Sequence, residues 1–169
     1  WRDWLPHRPD VFVEGVDAFE HHVVVSERSG GLRRLRVSDR DGRNAHYISF
    51  PEAAYGVFPN GNAEYATETF RFSYSSMQTP TAVYDYNLRT RARELRKQQE
   101  IPSGYDPTRY EVRRIMAPST GGVRVPVSLL ARKGVRLDGS NPLLLYAYGS
   151  YGATMEPTFN SAVLSLVDR

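Results

Sequence analysis

Cysteine is absent from the 169 residues. Its absence excludes a disulfide framework and any thiolate metal site. No apolar run approaches the roughly 18 residues of a membrane helix, so no membrane partner is expected. No basic-then-apolar stretch opens the sequence as a signal peptide would. The expected location is cytoplasmic, with the periplasm as the alternative. Lysine is scarce: of 22 basic residues only Lys97 and Lys133 are lysine, and the rest are arginine. The net charge of +3 raises the question of nucleic acid. The arginines, however, interleave with acids, and even the dense patch from Arg28 to Arg43 holds Asp39 and Asp41. That is the pattern of a solvated strand face, and no nucleic-acid partner is expected. Histidine stops at His46. His7, His21, His22 and His46 read as surface residues, and the His21–His22 pair has no further ligand at metal spacing. No Gly-rich phosphate loop is present. Neither a metal nor another cofactor is implied.

What is present is a succession of short β-rich runs cut by turn formers. Val11–Val13 begins a strand that Gly15 to Glu20 loosens. His22–Glu27 and Leu32–Val37 flank the turn signal Ser29-Gly30-Gly31. Asp39-Arg40-Asp41-Gly42 turns the chain into Ala45–Phe50. The pattern then recurs. Tyr55–Phe58, Tyr65–Ser75 and Thr81–Tyr86 are separated by turn residues, and Phe70, Phe72 and Tyr74 alternate onto one face. Val24 matches Phe72, Asp39 matches Asn87 and Arg43 matches Arg91, each at an offset of 48. Two runs of four strands at this period suggest propeller blades, with a plain antiparallel meander as the alternative. Leu88 to Gln99 supports two readings. Leu88, Ala92 and Leu95 have helical spacing, whereas the repeat asks for a closing strand, and the strand is preferred.

Residues 101–108, with Pro102, Gly104 and Pro107, read as a linker between domains. Beyond it Arg109–Ala117 and Val123–Ala131 read as strands around the turn Thr120-Gly121-Gly122. Leu143 to Tyr148 reads as a strand buried on both faces. Pro157 and Thr158 are placed to open a helix with Phe159, Val163, Leu166 and Val167 on one face. The stretch Asn141–Gly152, NPLLLYAYGSYG, brings Tyr146, Tyr148 and Tyr151 to the end of the buried run, where α/β sheets place ligands. Its Gly-Ser-Tyr-Gly is not a nucleophile elbow, because Tyr148 stands where Gly-x-Ser-x-Gly needs the first glycine. With no later histidine to act as base, Ser150 reads as a turn serine. A neutral tyrosine hydroxyl can still donate to a developing oxyanion, and Tyr148 is the candidate.

Three segments carry a resemblance. RIMAPSTGGVRVPVSLLARKG, LDGSNPLLLYAYGSYGA and FNSAVLSLVDR are similar to the start of the peptidase domain in the prolyl oligopeptidase family of serine peptidases. The YGSYG form resembles the oligopeptidase B branch. FSYSSMQTPTAVYDYNLRTRARELRKQQEIPSGYDPTRY is similar to the last propeller blade and linker of that branch. The resemblance implies a mostly β chain: the last two or so blades of a seven-bladed β-propeller over 1–100, a linker over 101–108, and the first strands of an α/β-hydrolase domain over 109–169. It implies hydrolysis of short peptides after Arg or Lys. The serine, aspartate and histidine of such a peptidase would lie beyond the residue corresponding to Arg169, so the 169 residues are expected to be a piece cut at both ends, inactive alone. Tyr148 matches the tyrosine that completes the oxyanion hole, and Tyr151 an aromatic position lining the substrate pocket. Glu156, by its charge, would favour a basic substrate. A non-catalytic propeller binding module or remnant is the alternative.

Overall fold

A computed structural model describes residues 3–169. Trp1 and Arg2, which open the segment 1–100 expected to form propeller blades, lie outside the described residues. The first half forms two four-stranded antiparallel meanders. Strands β1 (Val11–Ala18), β2 (His22–Ser29), β3 (Leu32–Asp39) and β4 (His46–Tyr47) make one. Strands β5 (Tyr55–Pro59), β6 (Thr69–Ser76), β7 (Ala82–Asn87) and β8 (Arg93–Gln98) make the other. The two sheets face each other across one core. Phe19, Val24, Leu35, Val37 and Ile48 meet Val57, Phe70, Phe72, Tyr74, Tyr86 and Leu88, all buried. Phe50 stacks on Tyr74 with centroids 4.7 Å apart and meets Phe72 edge-on at 5.8 Å. Such aromatic pairs each add about 0.5–1.5 kcal/mol beyond their buried area. Phe70, Phe72 and Tyr74 share a face as their alternation requires.

Local chemistry explains the strand ends. Gly30 and Gly31 have φ of 55° and 82°, the doubly left-handed pair that a two-residue hairpin turn needs. The first strand runs on past Gly15 to Ala18, with a register shift between Val13 and Gly15. Glu14 is the extra residue of that bulge, and a bulge re-aims its side chain. The offset-48 pair Asp39 and Asn87 closes equivalent turns. Asp39 Oδ2 accepts from the Asn44 amide at 2.7 Å, and Asn87 Oδ1 accepts from the Thr90 N–H at 2.7 Å. The fourth strand is shorter than expected, two residues instead of Ala45–Phe50. Residues 93–98 form a strand, not a helix: all six are exposed, so no core face exists to hold a helix, while β7 supplies a ladder.

The second half is a hairpin, an open segment and a helix. Strands β9 (Tyr110–Pro118) and β10 (Arg124–Arg132) pair without a bulge and form a separate two-stranded sheet. Leu143–Tyr148 is not the expected buried strand. It makes no ladder, and Leu143 is 79% exposed. A strand buried on both faces needs neighbours for every backbone N–H and C=O, and no described strand pairs with it. The helix, α1 (Ser161–Val167), starts later than Pro157 suggests, because Asn160 caps it by accepting from the Ala162 N–H at 3.0 Å. Its buried residue is Leu164, whereas Leu166, expected on the inner face, is exposed.

Close approaches tie this half to the sheets. Gly31 lies so near Pro126 that a Cβ on it would sit 2.9 Å from the ring Cγ. The Arg114 guanidinium donates to the Gly30 carbonyl. A Cβ on Gly56 would sit 2.8 Å from Thr158 Cγ2. The Tyr105 hydroxyl donates to the Gln78 carbonyl at 2.6 Å, and its ring packs against Tyr110 and Phe159.

Candidate functional site

The tyrosine loop is built by glycine. Gly149 and Gly152 have φ of 75° and 65°, and Tyr151 joins them at 53°, unusual for a residue with a Cβ. Ser150 accepts at its carbonyl from the Ala153 N–H at 2.9 Å, closing a turn over Tyr151 and Gly152. Ser150 is thus a turn residue, and the turn swings the Tyr151 ring outward, 94% exposed. Tyr148 is 59% exposed. Neither hydroxyl has a hydrogen-bond partner among the described residues, so both are free to donate.

Glu156, five residues after Tyr151, is placed differently. Its Oε1 accepts from the Arg28 guanidinium, 128 positions away in the chain. Its Oε2 is buried and unpartnered among the described residues. Arg28 also donates through Nε to Glu14 Oε1 at 2.6 Å, and Glu14 Oε2 accepts from Arg33 Nε at 2.5 Å. Burial works to raise the Glu14 pKa, but its hydrogen bonds to Arg33 and Arg28 outweigh it and leave the carboxyl below its ordinary value. Sequence reasoning did not find this network. Arg28 and Arg33 read as part of a solvated charged face, and only the folded chain brings Glu14 and Glu156 to them. The buried acid Glu27 is matched separately, by Arg8 at 2.5 Å and the Tyr47 hydroxyl at 2.7 Å.

The histidines contribute no base to this loop. His22 is buried rather than on the surface, held by the β2–β3 ladder. His46 Nδ1 faces the Asn44 carbonyl at 3.1 Å and Nε2 the Tyr86 hydroxyl at 2.9 Å. A carbonyl only accepts, so Nδ1 donates to it. Burial raises the Tyr86 pKa and keeps its hydroxyl neutral. Among the described residues no group of three His, Asp or Glu is arranged to hold a metal ion. The loop therefore offers two free tyrosine donors and a half-engaged carboxylate, with no nucleophile–base pair beside them.

Residues 1–99 match the family described as Prolyl oligopeptidase, N-terminal beta-propeller domain. The whole chain is 45% identical to a dipeptidyl aminopeptidase BI of Pseudoxanthomonas mexicana, covering 23% of that protein. It is 27% identical over 165 residues to protease 2 of Moraxella lacunata, covering 98% of this chain and 24% of that protein. Among solved structures, oligopeptidase B from Trypanosoma brucei, with covalently bound antipain and in a closed form, superposes with a TM-score of 0.88 at 32% identity. That likeness covers 98% of this chain and 24% of the other. The chain thus spans about a quarter of the length of the proteins it resembles.

Proposed function

Because the chain belongs to the prolyl oligopeptidase family, we propose that it is a section of a serine oligopeptidase that cuts short peptides after Arg or Lys. The observation that carries this reading is the extent of the likeness to oligopeptidase B. It covers 98% of the chain at a TM-score of 0.88, and so runs past residue 99, where the propeller match ends. Residues 1–100 are then two propeller blades, 101–108 the linker, and 109–169 the opening of an α/β-hydrolase domain. The Leu143–Leu145 run becomes a central strand once neighbouring strands pair with it.

In the complete peptidase a serine attacks the scissile carbonyl and a histidine takes its proton. These groups are not in the 169 residues. What this chain supplies is Tyr148, whose hydroxyl donates to the oxyanion as charge develops. Tyr151 lines the pocket for the residue before the cut. Glu156, by its charge, favours a basic substrate. No cofactor or metal takes part.

Removing one such donor typically costs about 100-fold or more in kcat. Tyr148→Phe in the peptidase that contains this chain is expected to lower kcat by about that factor with KM little changed. An unchanged kcat would remove Tyr148 from the reaction. The 169 residues alone are expected to show no turnover of a fluorogenic peptide ending in Arg; turnover abolished by a serine reagent would contradict this.

A second reading, removal of dipeptides from a free amino end, is favoured by the name of the relative at 45% identity. Peptides with free and with blocked amino ends separate the two: cleavage of both supports the endopeptidase, and cleavage of the free form alone supports the aminopeptidase. A propeller module that only binds would bind both and cleave neither.

A further inference from the structure

Four charged groups alternate in sign across the first sheet and end on the tyrosine loop. Arg33 on β3 holds Glu14 of the β1 bulge, Glu14 holds Arg28 on β2, and Arg28 holds Glu156. The four side chains are 15–20% exposed, so water screens them little compared with surface pairs. Burial pulls the Arg28 pKa down, but its hydrogen bonds to Glu156 and Glu14 outweigh that and leave it raised. Arg28 thus stays a cation throughout the range in which a peptidase works.

The residues after Glu156 continue the same seam. Pro157 is buried, Thr158 presses on Gly56, and the Phe159 N–H donates to Ser75 Oγ at 2.9 Å. Upstream the situation is reversed. Residues 133–155 carry no strand or helix, and the hydroxyls of Tyr148 and Tyr151 are unpartnered among the described residues. In the whole peptidase, pairing of Leu143–Leu145 fixes where the tyrosine loop starts, and the Arg28–Glu156 pair is the charged anchor at its other end. Displacing a reacting group by about 1 Å can cost 100-fold in rate.

We propose that Arg28 is a positioning residue of the reaction: from the propeller half it sets the Tyr148–Tyr151 loop in place by holding Glu156, and it touches no substrate itself. The proposal rests on the reading of Tyr148 as an oxyanion donor, and deepens it. Glu156 Oε1 is then the anchor of the loop.

The test is steady-state kinetics of Arg28→Met, Arg28→Lys, Glu156→Gln, Tyr148→Phe and the double variant Arg28→Met/Tyr148→Phe in the peptidase that contains this chain. Arg28→Met is expected to lower kcat about tenfold with KM within about twofold, the signature of an interaction that matters in the transition state. Arg28→Lys keeps the cation and is expected to recover part of that loss. Glu156→Gln should lower kcat and also raise KM for Arg substrates. In the Tyr148→Phe background, Arg28→Met should cost nothing further in kcat, because two groups acting as one unit are non-additive. Full additivity, or a KM effect alone, overturns the proposal. If Tyr148→Phe is slow while the Arg28 variants match the parent, the proposal fails and the oxyanion reading stands. If Tyr148→Phe is itself unaffected, both fail. Should Arg28→Met not fold, Arg28→Lys against Glu156→Gln decides: both must lower kcat.

Discussion

At the scale of single residues, chemistry here is set by which polar groups find partners. Glu27, buried, and Glu14, partly buried, have every carboxylate oxygen engaged by an arginine or a hydroxyl. Glu156 keeps one oxygen unpartnered among the described residues, the feature expected of a group with work left to do. Tyr105 is a different case. Burial first, and then the nearby Tyr110, Asp106 and Asp168, push its pKa up to about 12 from 10.0. The fold thus favours the neutral phenol. Stability from this group is complete below pH 10 and is lost as pH rises through about 12. Alkaline unfolding followed by circular dichroism should therefore steepen over that window, with tyrosinate absorbance rising in step. Tyr105→Phe should remove its share of the steepening. A Tyr105 that titrates at 10 in the folded protein would contradict the assignment.

At the scale of elements, the β2–β3 hairpin does two jobs with one turn. Gly30 and Gly31 supply the left-handed pair that lets the strands reverse, and the same bareness lets Pro126 of β10 approach. Gly31→Ala would meet both a φ of 82° and the proline ring. The expected cost is about 1–2 kcal/mol of stability, measured by urea unfolding at constant m-value. Gly61→Ala, with no atom within 4 Å of the added Cβ and no positive φ, is the control and should cost far less. Equal effects would mean that the close approach to Pro126 carries no weight. The β1 bulge works in a similar way. Gly15 marks a weak point in the strand, and the structure uses it to turn Glu14 toward Arg28 and Arg33.

At the scale of the molecule, the two sheets share a dense aromatic core while other apolar surface stays open. Phe12, Val13 and Val16 on β1 are exposed, as are Leu143, Leu144 and Leu145 before the tyrosine loop. Apolar patches and unpaired edges of this kind promote association. The 169 residues alone are expected to self-associate as concentration rises, seen by sedimentation velocity, and Val16→Lys with Leu144→Lys should suppress it. A single monomeric boundary at every concentration would contradict this.

The local grammar is legible along the chain alone. The Gly30-Gly31 turn, the alternation of Phe70, Phe72 and Tyr74, the repeat at 48 and the turn serine at Ser150 are all readable, because each depends on neighbours along the chain and on fixed periods of two residues or single-residue φ preferences. The same repeat decided residues 93–98 correctly where helical spacing pointed elsewhere. Other features depend on partners distant in sequence and emerge only in the fold. Leu143–Tyr148 has the composition of a buried strand, yet strand formation belongs to the ladder, and no described strand supplies one. His22 reads as polar and exposed, but sheet packing buries it. The link from Arg28 to Glu156 crosses 128 residues. Charge alone marks such residues only as able to pair, and which pair forms is fixed by how the hairpin tip, the bulge and the loop are brought together.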